Sequence, residues 1–248
     1  MALKKIKQIS KGHKQIDFEK RIFVGLTCTS SRRKKEHWRD QLREINKLGI
    51  KEISFFPTTL NPSERPVVYR ELEKSCVKTI KLVHIRGQDF TKKEMDYFFN
   101  RFNTRLFNCH EHEFDMLYKK FQSYRKHFVL ELNYDGVIEN KLEPNKMNGF
   151  CIDFSHIYSA KERHKMEWDY MVGHLKDTKF HANHLNGYTK RRKRDLHFVT
   201  NKNQFNYLTK LPACIFSKVI GMELENTISK QLEFKKYIVK ILNRKFKN

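Results

Sequence analysis

Eight short runs rich in β-branched and aromatic residues recur along this chain, and most of the segments between them carry helical periodicity. The runs fall near Ile22–Thr27, Glu52–Pro57, Ile80–Ile85, Arg105–Cys109, His127–Leu132, Gly149–Phe154, Lys179–Leu185 and Lys218–Leu224. Divided among eight units, the 248 residues allow roughly 31 each, about what a strand with its crossover helix requires. Such alternation favours parallel strands, because a parallel neighbour can be reached only through a long crossover, usually a helix.

The intervening segments support this reading. KKEHWRDQLREINKLGI places Trp38, Leu42, Ile45 and Leu48 on one face and stops at Gly49. TKKEMDYFFNRF begins at Thr91 with Glu94 three residues on, the spacing of a capping box. TISKQLEFKKYIVKIL offers Ile228, Leu232, Tyr237, Ile238 and Ile241 for its apolar side. Two units are irregular. NYDGVIENKLEPNKM, between the fifth and sixth runs, carries Gly136 and Pro144 and makes a poor helix. The stretch from Gly187 to Ser217 must hold a loop, a short helix and His197.

Residues 1–20 are polar and basic without periodicity and read as a loosely held arm ahead of one domain, 21–248. The fold class expected is α/β, a single (β/α)8 TIM barrel with an irregular fifth unit. A doubly wound open sheet is the alternative, but no GxGxxG or GxxxxGK loop supports it.

Lys and Arg total 51 against 28 Asp and Glu, a net charge of +23. That excess favours polyanions, since each neutralised phosphate releases condensed counterions. The densest internal clusters are the RRKK run with Arg32 and Arg33, and the run Lys190, Arg191, Arg192, Lys193 and Arg194; these are the candidate nucleic-acid contacts. Five cysteines without a CxxC pair, no signal peptide and no apolar stretch long enough for a bilayer point to a reducing, cytoplasmic setting. No GxSxG elbow or defensible Cys–His arrangement argues for acyl transfer.

In the second half of the chain, each run ends in a group able to ligate a metal. They are His84, His110, Glu131, Asp153 with His156, His181 or His184, Asp195 with His197, and Glu223 or Glu225. In a closed parallel barrel these ends converge on the C-terminal rim, where such folds keep their chemistry. Imidazoles mixed with carboxylates suit zinc, manganese or iron. Glu131 closes an apolar run, and a carboxylate buried there must be paired or metal-bound. Of the two histidines in KFHANHLNG, His184 is preferred as nearer the strand end. Glu223 and Glu225 share a face by the two-residue period, and Glu223 lies deeper. His13, His37, His112, His127, His164 and His174 are given no role.

CIDFSH, NHLNG and MELEN resemble the metal-binding strand ends of the xylose-isomerase-like TIM barrels, which include the endonuclease IV group of apurinic endonucleases. The resemblance runs thinly from about Phe23 to Leu242. It implies one or two divalent cations on Glu131, Asp153, His184 and one of Glu223 or Glu225. In the sugar isomerases and epimerases two such carboxylates serve as acid and base. In the endonuclease branch, His84, His110, His156, Asp195 and His197 would complete a three-zinc cluster, and all five positions are filled.

The function expected is therefore a metal-dependent phosphodiesterase acting on DNA at abasic sites, with Glu131, Asp153 and Glu223 as catalytic residues and zinc as the favoured cofactor. The alternatives are a manganese- or magnesium-dependent isomerase or epimerase of a sugar or sugar phosphate, and a nucleic-acid-binding barrel without catalysis.

Overall fold

The structure, a computed structural model, describes residues 16–28, 37–138 and 143–246. Nine strands form one sheet: β1 (Ile22–Phe23), β2 (Gly25–Thr27), β3 (Glu52–Phe56), β4 (Thr79–His84), β5 (Phe107–His110), β6 (Phe128–Glu131), β7 (Phe150–Asp153), β8 (Phe180–Leu185) and β11 (Val219–Met222). The hairpin strands β9 (Gly187–Thr189) and β10 (Arg194–Leu196) stand apart from it. The helices are α1 (His37–Lys47), α2 (Arg65–Lys74), α3 (Lys92–Arg101), α4 (Phe114–Lys120), α5 (Phe154–Glu162), α6 (Met166–Gly173) and α7 (Ile228–Phe246).

Every pairing in the large sheet is parallel, in the order β1-β11-β8-β7-β6-β5-β4-β3-β2. The two edge strands, β1 and β2, are separated in sequence by Val24 alone, so the sheet curls round into a nearly closed barrel. Side chains complete the closure. Past Val24 the first strand stops pairing with β11, and two buried glutamines span the gap. Gln41 of α1 accepts from Thr27 N at 2.9 Å and donates to Leu224 O and Asn226 O. Gln231 of α7 accepts from Gly25 N at 2.8 Å and donates to Gly25 O and Leu224 O. The seam is tight: a Cβ on Gly25 would lie 1.8 Å from Met222 O, and one on Gly221 would meet Ser54 Oγ at 2.7 Å.

Between sheet and helices lies a phenylalanine-rich core, in which Phe55, Phe98, Phe107, Phe128, Phe150 and Phe234 are fully buried. A fully buried side chain of this size contributes about 1.5–3 kcal/mol. A second, smaller cluster of Leu82, Val129, Cys151 and Ala182, with Leu106 and Val219 against it, fills the barrel interior.

Several local expectations hold. Thr91 and Glu94 form the capping box of α3, and the fifth crossover carries only a 3₁₀ turn, Pro144–Lys146, among its described residues. Others are corrected. Leu48 is 47% exposed because the helix has already ended. The inner face of α7 is Ile228, Gln231, Phe234, Ile238 and Leu242, rotated from the expected stripe, which leaves Leu232, Tyr237 and Ile241 half-buried. Residues 1–15 of the expected arm lie outside the described residues; its end is anchored by Phe18, which is buried against Phe216 and Phe246. No helix among the described residues is long and apolar enough to cross a membrane.

Candidate metal centre

Strand side chains alternate faces, so the residue two places beyond each interior apolar side chain also points inward. Leu82 is followed by His84, Leu106 by Asn108 and His110, Val129 by Glu131, Cys151 by Asp153, Ala182 by His184 and Asn186, and Val219 by Gly221 and Glu223. The apolar plug is thereby capped by a polar layer at the C-terminal ends of the strands. Register brings these residues side by side: His110 pairs with Glu131, and Asp153 with His184. A register shift between Phe150 and Cys151 sets the second alignment.

Glu131 is the hub, 1% exposed. Its Oε1 lies 3.3 Å from His156 Nδ1; its Oε2 lies 3.2 Å from His184 Nδ1, 4.0 Å from His84 Nδ1, and accepts from Asn108 Nδ2 at 2.6 Å. No lysine or arginine among the described residues forms an ion pair with it; its partners are imidazoles. His184 Nδ1 is also 3.3 Å from Glu223 Oε2. Asp153 divides its two oxygens. Oδ1 caps α5, accepting from Ser155 N at 2.7 Å, Ser155 Oγ at 2.6 Å and His156 N at 2.9 Å. Oδ2 faces the cluster, accepting from Asn186 Nδ2 at 2.7 Å and lying 3.9 Å from His156 Nε2. The Asp-x-x-His element is thus a helix cap and a cluster member at once.

Three overlapping triads can each hold a cation: His84, Glu131 and His184; Glu131, Asp153 and His156; and Asp153, His184 and Glu223. Within each, the ligand atoms lie within 4.8 Å of one another. The orphaned nitrogens test whether a metal fits. His84 Nδ1, His156 Nδ1 and both nitrogens of His184 are buried without a hydrogen bond of ordinary geometry, although carboxylate oxygens stand 3.2–4.0 Å from three of them. Buried polar atoms rarely go unpaired, and this spacing is what ligands around a shared cation adopt. The mixed nitrogen and oxygen donors suit zinc or manganese.

The electrostatics agree. Burial drives His84 down to about 3, against Glu131, so its ring is neutral. Burial also opposes protonation of His156 and His197, yet Asp153 and Glu131 hold the first up at about 9, and Glu223 and Asp195 hold the second at about 10. His184 stays well above the ordinary imidazole value against the same burial penalty, through Cys151 and Glu131. Burial penalises the carboxylates too. His184 and His156 nonetheless hold Glu131 well below its usual range, and His197 and His184 bring Glu223 to about 2. Burial raises Asp153. Without a cation, protons on imidazoles balance the buried acids.

The remaining candidates lie around this nucleus. His110 is half-buried, its ring 5.0 Å from His84 and stacked on His112, with its Nδ1 buried and unbonded. Asp195 and His197 meet each other at 3.1 Å. Asp195 also accepts from Tyr134 OH at 2.7 Å, and His197 Nδ1 is 3.2 Å from Glu223 O. They sit on and after β10 rather than in an open loop. His181 and the buried Glu225 fall outside the three triads. Asn108, Asn186 and Tyr134, given no role from the sequence, hold Glu131, Asp153 with Glu223, and Asp195. For the two asparagines the signal was present: Asn108 is two residues before His110, and Asn186 two after His184.

The basic run forms the tip of the β9–β10 hairpin, with Asp195 on β10 opposite Tyr188 on β9. Lys190, Arg191, Arg192 and Arg194 are exposed. Lys193, in a left-handed conformation at φ 47°, is tied to α5: its Nζ donates to Glu162 O, and its carbonyl accepts from Ser159 Oγ. Arg32 and Arg33 lie outside the described residues. No protein-family model matches this chain, and no curated protein matches it.

Proposed function

We propose that this chain is a metal-dependent phosphodiesterase on a (β/α)8 barrel, acting on DNA at abasic sites. With β1 and β2 taken as one strand interrupted at Val24, the large sheet has eight members. The observation that carries the activity is the convergence of five strand ends and the start of α5 on one buried layer of imidazoles and carboxylates, with a basic hairpin rooted beside it. His84 and His156 extend the cluster beyond Glu131, Asp153, His184 and Glu223, which favours several cations over one.

Cations held there would neutralise a phosphate diester and supply hydroxide near neutral pH without a protein nucleophile. Glu131, Asp153, His184, His84, His156 and Glu223 are the residues placed to hold them. Asn108 and Asn186 orient the carboxylates, Tyr134 orients Asp195, and the exposed hairpin cations attract the DNA backbone. A second reading rests on Asp153 and Glu223, two buried carboxylates joined by the Asn186 amide: such a pair can serve as the acid and base of an aldose–ketose isomerase or epimerase.

The test joins metal content of protein prepared without chelators to cleavage of an abasic-site duplex. Near three zinc per chain and cleavage lost in Glu131→Gln and Asp153→Asn are expected. Full cleavage by both variants would sink the site assignment, and one exchangeable manganese with no cleavage would favour the isomerase.

A further inference from the structure

Two clefts lie against the β9–β10 hairpin and the 3₁₀ helix Lys202–Lys210, and they share Thr189 and Gln204 as walls. The larger, about 430 Å³, falls within the size range of small-ligand pockets. Tyr188, Lys190, Asn201, Gln204 and Lys210 are among the residues that line it. The smaller, about 240 Å³, carries Arg191, Arg192 and Arg194. None of the triad residues of the metal centre lines either cleft.

Their chemistry is one-sided, because the lining residues include no carboxylate. The amide oxygens that could have accepted are occupied. Gln204 Oε1 takes the Thr200 and Asn201 amides at 3.0 Å each, and Asn201 Oδ1 takes the Asn203 amide at 2.9 Å. Their NH2 groups remain, beside two lysines. Tyr188 is 4% exposed, yet its hydroxyl has no hydrogen-bond partner. A buried phenol is normally bonded; this one is an unpartnered donor in the wall of the larger cleft. The charge of Glu162, which does not line either cleft, acts on the Tyr158 and Tyr188 hydroxyls alike. Donors without acceptors select an oxygen-rich anion, and two such clefts with a common wall select anions repeated along one molecule.

The geometry points to a strand-binding track along the hairpin, where Tyr188, Lys190 and Lys210 hold one phosphate of a nucleic-acid strand and Arg191, Arg192 and Arg194 hold the next. The choice of nucleic acid as the polyanion rests on the phosphodiesterase reading; the anion selectivity does not. A single sugar phosphate would fill only one of the two clefts.

The test is fluorescence anisotropy with a labelled single-stranded oligodeoxynucleotide lacking any abasic site, in the presence of chelator. Tyr188→Phe, which keeps the ring, is expected to bind roughly tenfold more weakly, the loss of one hydrogen bond to a charged group. Lys190→Ala/Lys210→Ala and Arg191→Ala/Arg192→Ala should each lower the salt slope by about 0.7, one single-strand phosphate contact. Lys78→Ala/Lys93→Ala, removing equal charge from exposed positions elsewhere, should leave that slope unchanged. Wild-type binding by both hairpin double variants, confirmed folded by circular dichroism, overturns the track. So does competition by inorganic phosphate as effective as that of the oligonucleotide per phosphate, or an equal loss of binding in Glu131→Gln. Intact binding with no metal-dependent cleavage in wild-type protein overturns only the phosphodiesterase reading.

Discussion

His184 and Glu131 meet at 3.2 Å although their strands do not pair: β7 lies between β8 and β6 in the sheet. Only a strongly curved sheet brings the inward side chains of next-nearest strands into contact. The pair is therefore a product of barrel closure, and its chemistry depends on closure.

Asp153 has two duties that substitution can separate. Asp153→Asn keeps an oxygen to cap α5 while removing the charge, so it should lose bound metal at nearly unchanged stability of the metal-free protein. Asp153→Ala should lose metal and also about 1 kcal/mol of stability from the missing cap. Equal melting temperatures for the two variants in chelator would refute the capping role.

Cation binding should release protons. In the metal-free cluster His156 titrates at about 9 and His184 well above the ordinary imidazole value, so both are charged at neutral pH and must deprotonate to ligate. Affinity should rise with pH. Titration calorimetry in buffers of different ionisation enthalpy measures the release; a heat independent of buffer would contradict it.

The stability of the metal-free protein has two limbs with opposite signs. His156 and His197 are raised when folded, to about 9 and 10. Their contribution is complete below the ordinary value of about 6.5 and is lost as pH rises through 9 to 10. Glu223 is depressed to about 2, so its contribution is present above the usual carboxylate range and disappears as pH falls toward 2. His84, lowered to about 3, adds to the acid limb, because its unfolded ring gains a proton first. Thermal melts across pH in chelator should show both declines, and added zinc should flatten the alkaline one. A melting temperature flat from pH 7 to 10 without metal would contradict the imidazolium–carboxylate balance.

Much of this was legible in the sequence because it is local. Alternation within a run of four to six residues fixes which side chain points inward, and it picks out His84, Glu131, Asp153 and His184. The choice of His184 over His181 rests on its place nearer the strand end; that it stands in register with Asp153 is visible only in the sheet. Asn108 and Asn186 obey the same rule, but an amide gives no sign of whether it will bond a carboxylate until that carboxylate is placed. The β9–β10 hairpin escaped notice because its strands are three residues long and its charged tip reads as a loop. The turn of α7 toward Gln231 and Phe234 was not readable either: Gln231 is buried for its bonds to Gly25 and Leu224, more than two hundred and only seven residues away respectively.

The glutamine seam gives a further expectation. Gln231→Leu leaves Gly25 N buried without its acceptor and should cost about 1–3 kcal/mol. Gln41→Leu does the same to Thr27 N. Hydrogen exchange should quicken first at those two amides. Unchanged exchange there would show that the ladder, not the side chains, closes the barrel.

The cluster's side chains are contributed in strand order from His84 to Glu223, so no contiguous segment contains a finished site. A chain emerging from the ribosome exposes unmatched imidazoles and acids until β11 has been made and folded against β8. A cation that needs the whole layer can be captured only then, and its retention would mark each copy as extended past Glu223 with β11 docked on β8.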